Sequence, residues 1–199
     1  FPVEYHAQTA VEAALALRTE LLKAEGDDAI QRLSEIEIGS YDVAIDIIGR
    51  DLEKWRPTTR ETADHSFPYC VAVALLDGRA TVHSFDPDRL RDPALHELMK
   101  KVRVVLQPEF AGRYPETMPT RLTLRTTTGA VYMRQVDIPL GHPGNPMSDQ
   151  DVENKLRVLA SRRIGRARVE KLIGFVWALE KETDIATLMP LLRVPNHDA

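Results

Sequence analysis

The sequence predicts an α+β fold in which one buried helix organises a mixed unit and a helical tail follows. Three stretches carry this expectation. Residues 64–78, DHSFPYCVAVALLDG, are unbroken apolar from Cys70 to Leu76. Periodicity alone does not tell a buried strand from a buried helix in such a run. Its ends decide for helix: Ser66 is a good N-cap, Pro68 falls in the first turn where its missing N–H costs little, and Gly78 suits a left-handed exit. A helix apolar on every side is buried on every side. Second, residues 121–126 and 131–136 alternate about Thr127-Thr128-Gly129, a β-hairpin pattern. Third, the chain after PLGHPGNP, residues 139–146, reads as helix.

Taken in order, residues 1–8 read as an extended lead-in, since Pro2 keeps Phe1 out of helical geometry. Thr9 with Glu12 forms a capping-box pattern. The helix it opens runs to about Lys23, with Ala10, Ala13, Ala14, Leu17 and Leu21 on one face and Gly26 as its end. Residues 33–38 alternate as a half-buried strand, and Tyr41, Ala44, Ile45 and Ile48 have the spacing of a short amphipathic helix. Residues 51–62 read as a polar loop. Its Trp55-Arg56 pair either pins the loop or lines a pocket, with pinning the first expectation. Residues 86–91 are turn-like, 93–101 a short helix, 102–106 a strand and 107–119 a loop. Ser148 starts a new helix with Asp149 and Asp151 in its first turn, and breaks are expected near Gly165 and Asp184.

Composition narrows the function. A net charge of −4 argues against general nucleic-acid binding, which needs a basic surface. No apolar run approaches the ~18–20 residues of a membrane helix. Cys70 is the only cysteine, so an internal disulfide and a cysteine zinc site are both excluded; a reducing compartment fits. No histidine pair has metal-ligand spacing, and there is no glycine-rich phosphate loop, nucleophile elbow or dinucleotide fingerprint.

Two groups of polar residues remain. Glu4, His6 and Gln8 sit just before one helix start, and Asp64, His65 and Ser66 cluster at another. Helix N-termini favour anions, so each group is a place for a negative ligand. For His6 two readings stand, a structural imidazole or an acid/base group beside Glu4 and Gln8. Asp64, His65 and Ser66 either cap their helix or bind, with Ser66 the most purely structural, and Tyr69 is either core or site. His83, His96, His142 and His197 lie in contexts typical of a surface, a turn or the tail. Arg157, Arg162, Arg163, Arg166, Arg168 and Lys171 form a basic run that reads as a solvated helix face, or as one that meets another part of the protein.

His65-Ser66-Phe67 with Tyr69, then Leu75-Leu76-Asp77-Gly78, resembles the MmgE/PrpD family, whose activities include 2-methylcitrate dehydratase, iminodisuccinate epimerase and cis-aconitate decarboxylase. The opening FPVEYHAQTAVEAA is similar more narrowly to the dehydratase branch. Elsewhere in the family histidine is usual at the position of Gln8, and Cys or His at that of Glu4; having neither favours the dehydratase over the decarboxylase branch. The resemblance spans essentially the whole chain and covers well under half of the family's length.

It implies a lid-type, α/β sandwich-like domain over residues 1–140, a linker at 141–147, and C-terminal helices over 148–199 that belong to an all-α domain lying upstream of Phe1. It implies removal of water from a tricarboxylate, with His6 and Tyr69 as catalytic residues and Glu4, Gln8, His65 and Ser66 as substrate-binding ones. The remaining catalytic Asp, His and Lys would stand in the upstream domain, so the chain alone should be inactive. No cofactor and no metal are expected. The implied partners are the small-molecule tricarboxylate, the upstream domain and a second copy in a homodimer, in the cytoplasm or, in a eukaryote, the mitochondrial matrix. Another activity of the family is the alternative; a stand-alone, non-catalytic α+β binding module is the reading outside it. With the upstream domain missing, Val176, Leu179, Leu188 and Leu191 should present uncovered apolar surface.

Overall fold

A computed structural model describes residues 1–194. The fold is α+β, as expected, and the chain divides into two compact units, Phe1–Asn145 and Pro146–Ala199. The boundary falls within the proline- and glycine-rich segment that reads as a linker.

In the first unit a short 3₁₀ turn, Tyr5–Ala7, leads into helix α1 (Gln8–Glu25). Strand β1 (Leu33–Ser40) is followed by α2 (Asp42–Ile48) and by two short helices, α3 (Leu52–Trp55) and α4 (Arg60–Asp64). The central helix α5 (Phe67–Asp77) comes next, then α6 (Pro87–Leu90), α7 (Pro93–Met99) and β2 (Val102–Leu106). The hairpin of β3 (Thr120–Thr126) and β4 (Val131–Val136) completes the unit. The strands lie in the order β2-β1-β3-β4, with β1 and β2 parallel and the other pairs antiparallel.

The register explains the alternation seen in the sequence. Ile36 and Ile38 face the core opposite Leu124 and Leu122 of β3, while Glu35 and Glu37 point away and both accept from Arg103 of β2. Helix α1 lies over β3 and β4 and against α5, with Ala10, Ala13, Ala14, Leu17 and Leu21 fully buried. Its alanines allow that close approach.

Helix α5 forms as its ends dictate. The Ser66 hydroxyl accepts the N–H of Tyr69 at 3.1 Å, Pro68 lies in the first turn, and Gly78 adopts φ 67°, the left-handed exit. Every residue from Phe67 to Leu75 is buried. An added Cβ at Gly78 would meet the Arg18 guanidinium at 2.8 Å; that guanidinium reaches across to donate to the Leu75 carbonyl.

Three local expectations are corrected. The Thr9–Glu12 capping box does not form: Thr9 is buried and its hydroxyl bonds Thr120 at 3.0 Å, while Glu12 accepts the Leu140 N–H at 2.7 Å. Bonds to residues far along the chain outcompete the local cap. The 51–62 loop contains α3 and the start of α4, the latter capped by Thr59 through the N–H of Thr62. The 86–91 turn contains α6, with Pro87 at its start.

The second unit holds α8 (Asp149–Ile164) and α9 (Arg166–Trp177), separated at Gly165, with 3₁₀ turns and a short α10 (Met189–Leu192) beyond. Ser148 and Asp151 form a reciprocal capping box at the start of α8. Arg157 ties the two long helices through Glu170 at 2.8 Å. Val176 and Leu179 are exposed, as are Val158, Trp177 and Ile185; Leu188 and Leu191 are half-buried. No helix among the described residues is long and apolar enough to cross a membrane.

Candidate functional site

The lead-in folds back on the start of α5. The backbone N–H of Glu4 donates to the Asp64 carbonyl at 2.9 Å, which places the Glu4–His6 segment beside the Asp64–Ser66 segment although sixty residues separate them in sequence. Glu4 caps the 3₁₀ turn by accepting the His6 N–H at 2.7 Å. Gln8 holds the lead-in closed, its amide donating to the carbonyls of Phe1 at 3.0 Å and Val3 at 3.1 Å.

His6 is 5% exposed. Its Nδ1 bonds the Tyr41 hydroxyl, and its Nε2 stands 4.0 Å from the Glu4 carboxylate. Burial raises the Tyr41 phenol well above its ordinary range and so keeps it protonated. With a carboxylate on the Nε2 side, the consistent arrangement is a proton on Nε2 and a Tyr41 O–H donating to Nδ1. Tyr114 completes the cluster, its ring centroid 5.2 Å from that of His6 and stacked on Tyr41 at 5.6 Å.

Burial also holds His6 below the ordinary imidazole range, against the opposing pull of Glu4. The unfolded chain therefore binds this proton more tightly than the folded one. The sign follows: the contribution is harmless above the unfolded pKa of about 6.5, and stability falls as pH drops below it, by at most about 1.4 kcal/mol per pH unit. We expect denaturant midpoints to fall more steeply from pH ~7 to ~5 in the wild type than in His6→Gln, whose loss of this group removes that part of the slope. Parallel curves for the two proteins would exclude a buried neutral His6.

The α5 end is arranged differently from expectation. Ser66 is fully buried; it caps α5 and donates to the Lys54 carbonyl, so a protein group covers the positive end that an anion was expected to occupy. Tyr69 is likewise fully buried, packed on Phe85 with ring centroids 5.8 Å apart, and its hydroxyl donates to the Ser84 carbonyl at 2.7 Å. The catalytic place expected for it is corrected by this packing: Tyr69 presents no surface to a ligand. Burial keeps it, like the Cys70 thiol, protonated. His65 is the open member of the group. Its side chain is 42% exposed, and Nδ1 lies 2.5 Å from Asp64 Oδ1 and 3.0 Å from the Glu61 carbonyl.

A hollow of about 680 Å³ lies elsewhere in this unit, lined by Trp55, Arg56, Leu90, His96 and Met99 among others; none of the six expected site residues lines it. Trp55 both lines this hollow and pins its loop, donating to the Gly49 carbonyl at 3.1 Å. His83 pairs with Asp86, His96 with the Leu90 carbonyl, and His142 accepts the Gly144 N–H. His197 lies outside the described residues. Among the described residues no three His, Cys, Asp or Glu side chains are grouped to hold a metal ion. Sequence reasoning missed Tyr41 and Tyr114; only the apolar spacing of Tyr41 with Ala44 and Ile48 was visible, and it signalled burial rather than a partner for His6.

The geometry defines a class: an α+β domain around a buried helix, with the Glu4–His6 and Asp64–Ser66 segments hydrogen-bonded side by side at one corner. The family model of the MmgE/PrpD C-terminal domain matches residues 1–181. The chain belongs to the MmgE/PrpD family. It is 34% identical to the cis-aconitate decarboxylase of Mus musculus over 140 residues, 70% of this chain and 28% of that protein. It is 33% identical to the 2-methylcitrate dehydratase of Escherichia coli K12 over 147 residues, 71% of this chain and 29% of that one. A mitochondrial 2-methylcitrate dehydratase of Yarrowia lipolytica is 29% identical over 186 residues, 87% of this chain and 34% of that protein. The chain therefore matches only about a third, or less, of the length of these relatives.

Proposed function

We propose that this chain is the lid and C-terminal helices of a lyase that eliminates water from a tricarboxylate, 2-methylcitrate to 2-methylaconitate, with citrate to cis-aconitate as a second, related substrate reaction. The observation that carries the reading is the Glu4–Asp64 backbone bond, which sets both expected site segments side by side. Dehydration of such an acid needs a base and an acid beside the reacting carbons, and donors or cations for three carboxylates. Here Glu4, His6 and Gln8 form a closed wall and His65 the open group next to it. One corner of a domain does not supply all of this. The rest is assigned to a helical domain upstream, consistent with the share of its relatives that the chain spans. The exposed Val176 and Leu179 are the surface assigned to that domain. A homodimer in the cytoplasm, or in the mitochondrial matrix of a eukaryote, completes the reading.

Decarboxylation of cis-aconitate is the second reading, favoured by the 34% identity to the mouse decarboxylase. One experiment separates the two. The full-length protein is given 2-methylcitrate, citrate and cis-aconitate in turn, with ultraviolet absorbance of the unsaturated acid and release of carbon dioxide both followed. Dehydration of 2-methylcitrate by the full-length protein, and none by the 199-residue chain, is expected. Carbon dioxide from cis-aconitate without dehydration would transfer the chain to the decarboxylase reading. Turnover by the isolated chain would remove the need for an upstream domain.

A further inference from the structure

We propose that His65 is a catalytic proton-transfer group of this site, with Asp64 as the positioning residue that fixes its tautomer. This rests on the dehydratase reading above and sharpens it, since His65 was expected only to bind substrate. The case begins with exposure. His6 has its ring sealed between Tyr41, Tyr114 and Glu4 and is 5% exposed, so no substrate atom reaches it without rearrangement of that cluster. The His65 side chain is 42% exposed at the same corner.

The second step is the tautomer. Both neighbours of His65 Nδ1 are pure acceptors, the Asp64 carboxylate at 2.5 Å and the Glu61 carbonyl at 3.0 Å. A lone pair on Nδ1 would face two oxygens, so Nδ1 carries the proton and the lone pair of the neutral ring is on Nε2. No protein group among the described residues bonds Nε2. The ring thus presents an unbonded Nε2 with a carboxylate behind Nδ1, the arrangement that orients imidazoles in hydrolytic triads.

The third step is rigidity. His65 caps α4 and immediately precedes the cap of α5. Its N–H donates to the Glu61 carbonyl at 3.3 Å, that of Ser66 to Ala63 at 3.2 Å, and the Asp64 carbonyl is held by the Glu4 N–H. Two helix ends and the lead-in therefore fix the backbone that carries the dyad, and a base held this way is ready to act without first being ordered.

In the reaction, Nε2 takes a proton from the carbon next to a substrate carboxylate. The C–H electron pair becomes the new C=C bond as the C–O bond of the neighbouring carbon breaks. The departing hydroxide takes the proton back from the imidazolium and leaves as water, so the ring ends neutral. Asp64 offsets the imidazolium charge while it lasts.

The test uses the full-length protein. His65→Asn keeps an amide N–H at the place of Nδ1, and so the bond to Asp64, but deletes Nε2; His65→Gln is the second variant should the first fail to fold. We expect either to lower kcat for 2-methylcitrate by on the order of 10²–10⁴-fold, with KM within about threefold of wild type. Asp64→Asn should lower kcat by tenfold or more, in the manner of a misoriented triad imidazole, whose loss reaches about 10⁴-fold. Long-range ¹H–¹⁵N spectra of the histidine-labelled protein should show neutral His65 protonated on Nδ1. A kcat within about threefold of wild type in both His65 variants, or a loss confined to KM, would overturn the role and leave the dehydratase reading standing. So would an Nε2-protonated His65. Full-length wild-type protein that dehydrates none of the acids would overturn that reading, and this role with it.

Discussion

Leu75→Ala is expected to destabilise the first unit by about 2–5 kcal/mol, and Leu76→Ala by less than about 1 kcal/mol. The two leucines are adjacent on α5 and identical in chemistry. Leu75 is fully buried, whereas Leu76 is only partly buried beside the helix exit. Removing the Leu75 side chain leaves a cavity in the core, and the cost combines lost transfer energy with lost contacts. For a chain of this size the larger loss corresponds to roughly 5–15 °C in the melting temperature. Calorimetry or urea titration of both variants checks it. Equal losses would mean that α5 is not enclosed as described, and the fold around it would need redrawing.

Tyr41→Phe is expected to cost about 1–3 kcal/mol, because it leaves the buried Nδ1 of His6 without its donor. His6→Leu should cost a similar amount by stranding the Tyr41 hydroxyl. The double variant, with no polar atom left unpaired, should then cost less than the sum, with a coupling of roughly 0.5–3 kcal/mol. Strictly additive losses in urea titrations would mean that the two groups do not interact. The result bears on function as well. A strong coupling identifies His6 as a pillar of the lead-in, and leaves His65 as the exposed imidazole of the corner.

These two expectations draw on different kinds of information. The first was close to legible in the sequence. Ser66, Pro68 and Gly78 set the ends of α5 by local chemistry, and the apolar run between them required burial. The hairpin at 121–136 and the cap at Ser148 were legible for the same reason: each depends on residues a few positions apart. The second was not legible. His6 and Tyr41 lie 35 residues apart, and no local pattern marks them as partners. Tyr114 joins them from a loop that carried no signal beyond its prolines. The Thr9–Glu12 box shows the converse, a correct local motif displaced by Thr120 and Leu140 from far along the chain.

The family was also readable from the stretch that holds His65, Tyr69 and Gly78, and the match over residues 1–181 agrees. The placement of the site residues was not. Tyr69 and Ser66 turn inward because the helix they open is enclosed on all sides, so its first turn is covered by protein rather than by solvent. His65 sits between two helix ends, and its side chain stays 42% exposed there. By itself, then, the sequence determined the longer secondary elements, the buried helix and the family, since caps, turns and periodic apolar residues act over a few bonds or one helix turn. Only the tertiary structure decided which imidazole is sealed and which is exposed, because burial is a property of what the rest of the chain places over a residue.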